Sequence, residues 1–201
     1  MTRIAVVDHG AGNLVSIGRA LQTCGASVTV ATIPGDLGGA AAVVVPGVGA
    51  TGAAMASLNR TGMDEALRSW NRPLLGICVG MQLLFESSAE DDGACLGLVP
   101  GRVERLSAPI LPHMGWNAVH HRGDPIFTGI AAGTTFFFAH SFAAPVLDPA
   151  IATTNYDGAF TSAVRAEDRV GVQFHPERSG LAGLRLLANF VSACAARSHA
   201  A

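Results

Sequence analysis

A cysteine held between two glycines is the first candidate for chemistry in this sequence. Residues 76–80 read Gly-Ile-Cys-Val-Gly and follow an apolar run that starts at Pro73. The spacing glycine-x-nucleophile-x-glycine predicts a sharp turn between a strand and a helix, with Cys78 projecting outward as a nucleophile. At a helix start, free N–H groups and the helix dipole favour the thiolate. The alternative is a buried structural cysteine, a common fate in apolar runs.

One of the seven histidines has the setting expected of a general base. His175 follows an apolar strand candidate at 170–174, and Pro176 and Glu177 come next. In an extended segment, residues two apart point to the same side, so the carboxylate can hold the imidazole while its other nitrogen faces a thiol. These residues predict a triad of Cys78, His175 and Glu177. The alternative is a histidine at a strand end beside a solvated glutamate.

A second glycine-rich turn, Pro-Gly-Val-Gly at residues 46–49, follows another apolar strand candidate. Glycines there let backbone N–H groups approach a ligand closely. A plain tight turn explains the Pro-Gly pair equally well.

The composition favours one globular domain covering residues 1–201, since 49% of the residues are hydrophobic and only 14% are charged. A formal net charge of -2 and the lack of Lys/Arg runs argue against a nucleic-acid partner. We find neither a bilayer-spanning stretch nor a secretion signal, and therefore expect a cytoplasmic protein without a membrane partner.

The four cysteines are scattered and form no C-x-x-C pair, and the histidines form no H-x-x-H pair. This spacing fits neither a disulfide framework nor a zinc site. We expect no metal and no cofactor.

Strand and helix candidates alternate through the first half of the chain. The periodicity predicts strands at 3–7, 28–31, 41–45 and 74–77, and helices from the N-cap Asn13 to Gly25, over 53–70 with a break near Gly62, and over 81–86. Unbroken apolar strands of this kind are typical of a parallel sheet covered by helices on both faces. The fold class predicted is therefore α/β, with a central, mostly parallel sheet.

The second half is predicted to be rich in short antiparallel strands. Candidates lie at 101–106, 117–121, 134–139, 151–154, 162–165 and 170–174, separated by Gly, Pro and Asp turns. A closing helix begins at Ser179, with apolar positions on one face, and a tail of small residues runs to Ala201.

Together, the elbow of residues 76–82 and the Phe-His-Pro-Glu run at 174–177 resemble the class I, or triad, glutamine amidotransferases. Further segments resemble, in order, one branch of that family, which supplies ammonia to a cyclase in histidine biosynthesis. These segments are 8–14, 46–49, 112–117, 140–141, 154–158 and 175–179. The run Pro-His-Met-Gly-Trp-Asn at 112–117 is the most discriminating of them. The resemblance implies the class I amidotransferase fold.

The resemblance also implies a reaction. Cys78 attacks the side-chain carboxamide of L-glutamine, His175 moves the proton to the departing ammonia, and Glu177 orients His175. Water then hydrolyses the glutamyl thioester. The residues implied for the oxyanion hole are Gly47, Val48, Gly49 and Val79, and those for glutamine recognition are Gln82, Ser141 and Phe142.

The implied partner is a cyclase subunit that is a (β/α)8 barrel and receives the ammonia directly, in a heterodimer. The interface residues implied are Asn13, Trp116, Asn117, Phe137 and Arg178. The family often has tyrosine near His140, where this chain has Phe137 and Phe142, and lysine at the position of Arg178. Phenylalanine lacks the hydroxyl donor, and arginine is not a simple replacement for lysine at a paired site.

Two other hypotheses remain open on the sequence. The elbow and the His-Pro-Glu run also fit other class I enzymes, such as a vitamin B6 type amidotransferase or a γ-glutamyl hydrolase. A catalytically silent relative is the third hypothesis, although such proteins usually lose a triad member and this chain has all three.

Overall fold

The computed structural model describes residues 1–198; His199 and the end of the small-residue tail lie outside the described residues. In the N-terminal half, strands and helices alternate as expected. The strands are β1 Thr2–Val7, β2 Ala26–Ala31, β3 Ala42–Val45 and β4 Leu74–Ile77. The helices are α1 Leu14–Thr23, α2 Thr51–Thr61, α3 Met63–Arg68 and α4 Val79–Gln82.

The C-terminal half is mainly strands and ends in one long helix. The strands are β5 Ser87–Ser88, β6 Gly93–Ala94, β7 Arg102–Arg105, β8 His113–His121, β9 Thr134–His140, β10 Phe142–Ala143, β11 Ala150–Asn155, β12 Ala159–Ala166 and β13 Arg169–Val172. The helix is α5 Gly180–Ser198. Short 3₁₀ turns lie at Pro34–Leu37, Pro125–Phe127 and Pro176–Arg178.

One nine-stranded sheet organises the molecule, in the order β2-β1-β3-β4-β13-β12-β11-β8-β9. Neighbours from β2 to β13 are parallel, and neighbours from β13 to β9 are antiparallel. Strand β3 is completely buried because the sheet carries packing on both faces there. The predicted α/β class with added antiparallel strands is confirmed. A smaller sheet has the order β10-β7-β5-β6.

The register of β3, β4 and β13 brings three loops together at one edge of the sheet. Val45 is opposite Gly76 on β4, and Ile77 is opposite Val172 on β13. Because these strands are parallel, the turns that follow them leave the sheet side by side. Cys78 is therefore close to both the 46–49 turn and the segment that carries His175.

Two predicted helix boundaries are confirmed by local geometry. The Asn13 side chain accepts a hydrogen bond from the N–H of Ser16 at 3.1 Å and so caps α1. Gly62 has φ +73°, which separates α2 from α3 at the predicted break.

The helix expected over 81–86 is wrong: α4 begins at Val79 and ends at Gln82. The backbone carbonyls of Leu83, Leu84 and Phe85 accept hydrogen bonds from the N–H groups of residues 96–99 instead. All three side chains are fully buried. The apolar run after the elbow is thus surrounded by protein and does not form one face of a helix.

Strand β8 is longer than predicted, since it begins at His113 and not at residue 117. Its first residues alternate between buried and exposed, which is the strand period, but they mix glycine, histidine and tryptophan. Within residues 1–198, no helix is both long enough and apolar enough to cross a membrane.

Candidate active site

The turn at Cys78 has the sharp geometry that its glycines predict. Cys78 has φ +54° and ψ -110°, a conformation that side-chain-bearing residues rarely adopt. A Cβ on Gly76 would lie 2.5 Å from the carbonyl oxygen of Gly80, and a Cβ on Gly80 would lie 1.7 Å from that of Val45. Both flanking positions therefore exclude any side chain, and the turn holds the thiol in one direction.

His175 and Glu177 form a buried pair beside this turn. The distance from His175 Nδ1 to Glu177 Oε1 is 2.9 Å, and the two side chains are 4% and 6% exposed. The contact is made across the 3₁₀ turn Pro176–Arg178, so the expectation of an extended segment is wrong. Pro176 fixes the start of that turn, which brings the carboxylate back toward the ring. Because Nδ1 is held by the carboxylate, Nε2 is free to face the thiol.

The electrostatics of His175 favour its protonated form. Burial opposes the charge of the imidazolium, but hydrogen bonds to Cys78 and Glu177, together with their negative charges, raise the pKa of His175 to about 10. The helix that starts at Val79 has only four residues and so has a small dipole. His175 is therefore the main positive charge beside the sulfur, and the site has a proton donor in place at neutral pH.

The turn at 46–49 packs directly against the start of α4. A Cβ on Gly47 would lie 2.7 Å from Cβ of Val79. Gly49 has φ +92°, which favours glycine. Within residues 1–198, the backbone N–H groups of Gly47, Val48, Gly49 and Val79 have no hydrogen-bond acceptor. Four free donors thus lie on Val79 and on the turn that packs against it, and free N–H donors of this kind are what an oxyanion hole requires.

His9 supports this turn, a role that was not predicted from the sequence. Its side chain is buried, and Nε2 donates to the carbonyl of Pro46 at 2.7 Å. His9 follows β1, whose carboxyl end lies beside that of β3. A polar residue within two positions of the end of a buried parallel strand is the signal that points to such a role.

Hydrogen bonds connect two of the glutamine-recognition candidates, Gln82 and Phe142, to the sulfur through Gln173. Gln82 is buried, and its Nε2 donates to the carbonyl of Phe142 at 2.8 Å and to Oε1 of Gln173 at 3.2 Å. Nε2 of Gln173 donates to Cys78 Sγ at 3.7 Å. The neighbouring Ser141 is half-buried, and its backbone carbonyl is bonded to the N–H of residue 106. The structure therefore brings Gln82, Ser141 and Phe142 together.

A chain of hydrogen bonds leads from Asn117 to the same carbonyl through two buried histidines. Asn117 Nδ2 donates to His113 Nε2 at 3.2 Å, and His113 Nδ1 donates to His140 Nε2 at 3.1 Å. His140 Nδ1 then donates to the Phe142 carbonyl at 2.8 Å. These tautomers are assigned from the bonding partners. Burial lowers the pKa of His113 to about 4 and that of His140 to about 3, so both are neutral at pH 7.

Three of the five interface candidates contact one another. Trp116 is 57% exposed and packs edge-on against Phe137, with ring centroids 6.3 Å apart. The guanidinium of Arg178 lies 4.2 Å from the centre of the Phe137 ring. Asn117 points to the opposite side of β8 from Trp116, and the exposed Asn13 side chain caps α1. Trp116, Phe137 and Arg178 alone form a cluster.

This fold and site have a counterpart among known proteins. Residues 5–194 match the family model described as glutamine amidotransferase class-I, and the chain belongs to that family. It is therefore a glutamine amidotransferase enzyme, of a family in which a cysteine nucleophile is typical.

Within the family, the chain is similar to proteins named imidazole glycerol phosphate synthase subunit HisH. The relative from Xylella fastidiosa strain Temecula1 is 46% identical over 200 residues, which are 98% of this chain and 100% of the relative. The relative from Herpetosiphon aurantiacus is 45% identical over 201 residues, 96% of each chain. A solved structure of PurLQS from Thermotoga maritima has a TM-score of 0.72 at 19% identity, covering 95% of this chain and 98% of that one. That likeness shows the fold alone.

Proposed function

We propose that this chain is the glutaminase subunit of imidazole glycerol phosphate synthase. It hydrolyses L-glutamine to glutamate and ammonia, and the ammonia passes to a (β/α)8-barrel cyclase subunit in a heterodimer. There it reacts with a phosphoribulosyl aminoimidazole carboxamide nucleotide, giving imidazole glycerol phosphate and aminoimidazole carboxamide ribotide. The observation that carries the proposal is Cys78, held on a strained turn beside the buried pair of His175 and Glu177.

The first half-reaction forms a thioester. The sulfur of Cys78 bonds to the carboxamide carbon of glutamine, and the carbonyl electron pair moves onto oxygen. When the carbon–nitrogen bond breaks, the nitrogen takes the proton of His175 and leaves as ammonia. The raised pKa of His175 supports this step, because the proton is in place before the substrate arrives.

The second half-reaction releases glutamate. His175 is neutral once ammonia has formed, so it accepts a proton from water as the water oxygen bonds to the thioester carbon. The carbon–sulfur bond then breaks, and the sulfur leaves with the electron pair. Glu177 keeps Nδ1 of the imidazole bonded during both steps, at 2.9 Å, so that only Nε2 exchanges the proton.

In both half-reactions the negative carbonyl oxygen requires hydrogen-bond donors. The free N–H group of Val79 directly follows the nucleophile, and Gly47 packs against Val79 at the start of the turn that carries the free N–H groups of Gly47, Val48 and Gly49. Loss of a single donor of this kind costs about 100-fold or more in turnover in other acyl-transfer enzymes.

Glutamine recognition uses the groups left unpaired around Gln82. Both N–H groups of its amide are already bonded, and within residues 1–198 nothing donates to its Oε1. This acceptor suits the α-ammonium group of the substrate. The free hydroxyl of the half-buried Ser141, next to Phe142, suits the α-carboxylate.

The cyclase docks on the cluster of Trp116, Phe137 and Arg178, with Asn13 and Asn117 contributing around it. Exposed tryptophan and arginine side chains are the usual anchors of protein interfaces. We further propose that the whole chain acts as one amidotransferase domain and works in the cytoplasm.

The test is co-purification with the cyclase, followed by measurement of ammonia release with and without the cyclase nucleotide. We expect weak hydrolysis by the chain alone, stronger hydrolysis in the complex, and none in Cys78→Ala. Cys24→Ala is the matched control, since this half-buried thiol donates to the carbonyl of Leu184 and its loss should leave activity unchanged. Full activity of Cys78→Ala would refute the proposed nucleophile. Recovery of another synthase in place of the cyclase would indicate a different class I enzyme.

A further inference from the structure

Gln173 is a polar side chain with no solvent exposure, in a run that is otherwise apolar from Val170 to Phe174. Burial of an amide is costly unless hydrogen bonds replace those made to water. A buried polar group in an apolar strand end therefore needs partners, and these partners define its role.

The sheet register sets Gln173 beside the nucleophile. Val172 is opposite Ile77, and the N–H of Cys78 donates to the carbonyl of Val172 at 2.8 Å. The next residue of each strand is Gln173 on one side and Cys78 on the other. The N–H of Gln173 is fixed in turn by the carbonyl of Ser162 at 2.9 Å. The backbone thus leaves the amide little freedom to move away from the sulfur.

The two ends of the Gln173 amide have different partners. Nε2 donates to Cys78 Sγ at 3.7 Å, and Oε1 accepts from Nε2 of Gln82 at 3.2 Å. One side chain therefore connects the sulfur to a residue of the glutamine site.

The donor to the sulfur differs from the other groups around it. Among the ionisable groups here, His175 contacts Cys78, Glu177 pairs with His175, and the charge of His175 acts on His140. His175 gives up its proton during the reaction, whereas the amide of Gln173 stays a neutral donor at every step. A hydrogen bond from a fixed donor stabilises an anion more than its neutral form.

We propose that Gln173 is a further catalytic residue, whose Nε2–H stabilises the anionic sulfur of Cys78 while its Oε1 holds Gln82 in place for glutamine. The inference rests on the role given to Cys78 in the proposed function. Gln173 acts when the thiolate attacks and again when the thioester expels it.

The test measures how fast iodoacetamide alkylates Cys78 between pH 5 and 10, with mass spectrometry of the Cys78 peptide to exclude the other three cysteines. In Gln173→Met, which keeps the length of the side chain but removes the donor, the midpoint of the profile should rise by about one pH unit. Turnover should fall by about tenfold. Gln22→Met is the matched control at an exposed position and should leave the profile unchanged.

A second variant, Gln173→Asn, keeps the amide but is one methylene too short to bond both partners, and its midpoint should also rise. An unchanged midpoint in either folded variant overturns the proposal. In the wild-type chain, the side-chain amide resonance of Gln173 should titrate with the same midpoint as alkylation, and a resonance that does not respond also overturns it. If wild-type Cys78 itself shows no reactive thiolate, the proposed function fails instead.

Discussion

The carbonyl oxygen of Phe137 accepts a hydrogen bond from the backbone N–H of His175, at 2.9 Å. The edge strand β9 therefore holds the loop that carries the base of the triad. The ring of Phe137 meanwhile contacts Trp116 and Arg178 on the exposed side. The proposed partner surface and the position of the catalytic imidazole thus depend on one strand.

Ser179 strengthens this connection, because its hydroxyl donates to the carbonyl of His175 at 2.6 Å and accepts from the N–H of Phe137 at 3.0 Å. In Ser179→Ala the N–H of Phe137 loses its partner, and the carbonyl of His175 keeps only its hydrogen bond from the N–H of Arg178. We expect the free energy of unfolding to fall by about 2 kcal/mol and glutamine turnover to fall by about tenfold. Urea unfolding measures the change in the free energy of unfolding, and ammonia release measures the change in turnover. Ser69→Ala, at an exposed hydroxyl, is the control, and an equal loss there would contradict the assignment.

Gly80, two residues after the nucleophile, should not tolerate any side chain. Since a Cβ at Gly80 would meet the carbonyl of Val45 at 1.7 Å, Gly80→Ala should lower the free energy of unfolding by about 3 kcal/mol or more. Gly18→Ala is the opposite case. Gly18 lies within helix α1, and a Cβ there would only touch the side chain of Val28, at 3.9 Å. That variant should gain about 0.5–1 kcal/mol. Chemical denaturation of both variants measures these opposite changes in the free energy of unfolding.

The two neutral histidines should make the fold sensitive to acid. The folded pKa values of His113 and His140, about 4 and about 3, lie below the unfolded value near 6.5. Their contribution to stability is therefore complete above pH 6.5 and is lost as the pH falls toward 4 and below. Below about pH 5.5 His175 adds nothing to this slope, since its pKa is raised and it is protonated in both the folded and the unfolded state there.

We expect the wild-type chain to lose on the order of 2 kcal/mol between pH 7 and pH 4.5 from each of these two imidazoles. His140→Asn should be less stable at pH 7 but should lose less over the same interval. Urea unfolding at pH 7 and at pH 4.5 gives the change in the free energy of unfolding for each protein. An identical slope in the variant would rule out His140 as a source of acid sensitivity.

Truncation of Trp116 should weaken partner binding without harming the fold. The indole is 57% exposed, so Trp116→Ala should change the free energy of unfolding by less than about 0.5 kcal/mol. Its affinity for the cyclase should fall by at least about tenfold, as for aromatic anchors at other interfaces. Val30→Ala, exposed on the far edge strand β2, is the control for titration calorimetry. Equal binding by the two variants would move the docking surface elsewhere.

Much of the fold was predictable, because buried parallel strands need unbroken apolar runs and the turns between them need glycine or a cap. The elbow at Cys78 was predictable for a similar reason, since its backbone excludes side chains on both flanks. The contact of His175 with Glu177 was also expected, although the segment turns where an extended chain was assumed. In these cases the structural requirement is local, so it determines the residue types at neighbouring positions in the sequence.

The rest depends on which strands become neighbours. Gln173 meets Cys78 only because β13 lies beside β4, and His9 reaches the 46–49 turn only because β1 lies beside β3. The histidine chain requires the pairing of β8 with β9, which sets His113 opposite His140. A polar residue in an apolar run signals that a partner exists, but the sequence does not name that partner.

The carbonyl oxygen of Phe142 accepts from both Gln82 and His140, so neither of its lone pairs is left for a ligand. In the proposed glutamine site, Ser141 would therefore supply the donor, and the oxygen of Gln82 would supply the acceptor. An L-amino acid would meet these with its carboxylate and its ammonium, respectively. The D-enantiomer would exchange the two groups, so its ammonium would face the donor of Ser141 and its carboxylate would face the oxygen of Gln82. Stereoselectivity in this site would therefore arise from the direction of hydrogen bonds as well as from the shape of the pocket.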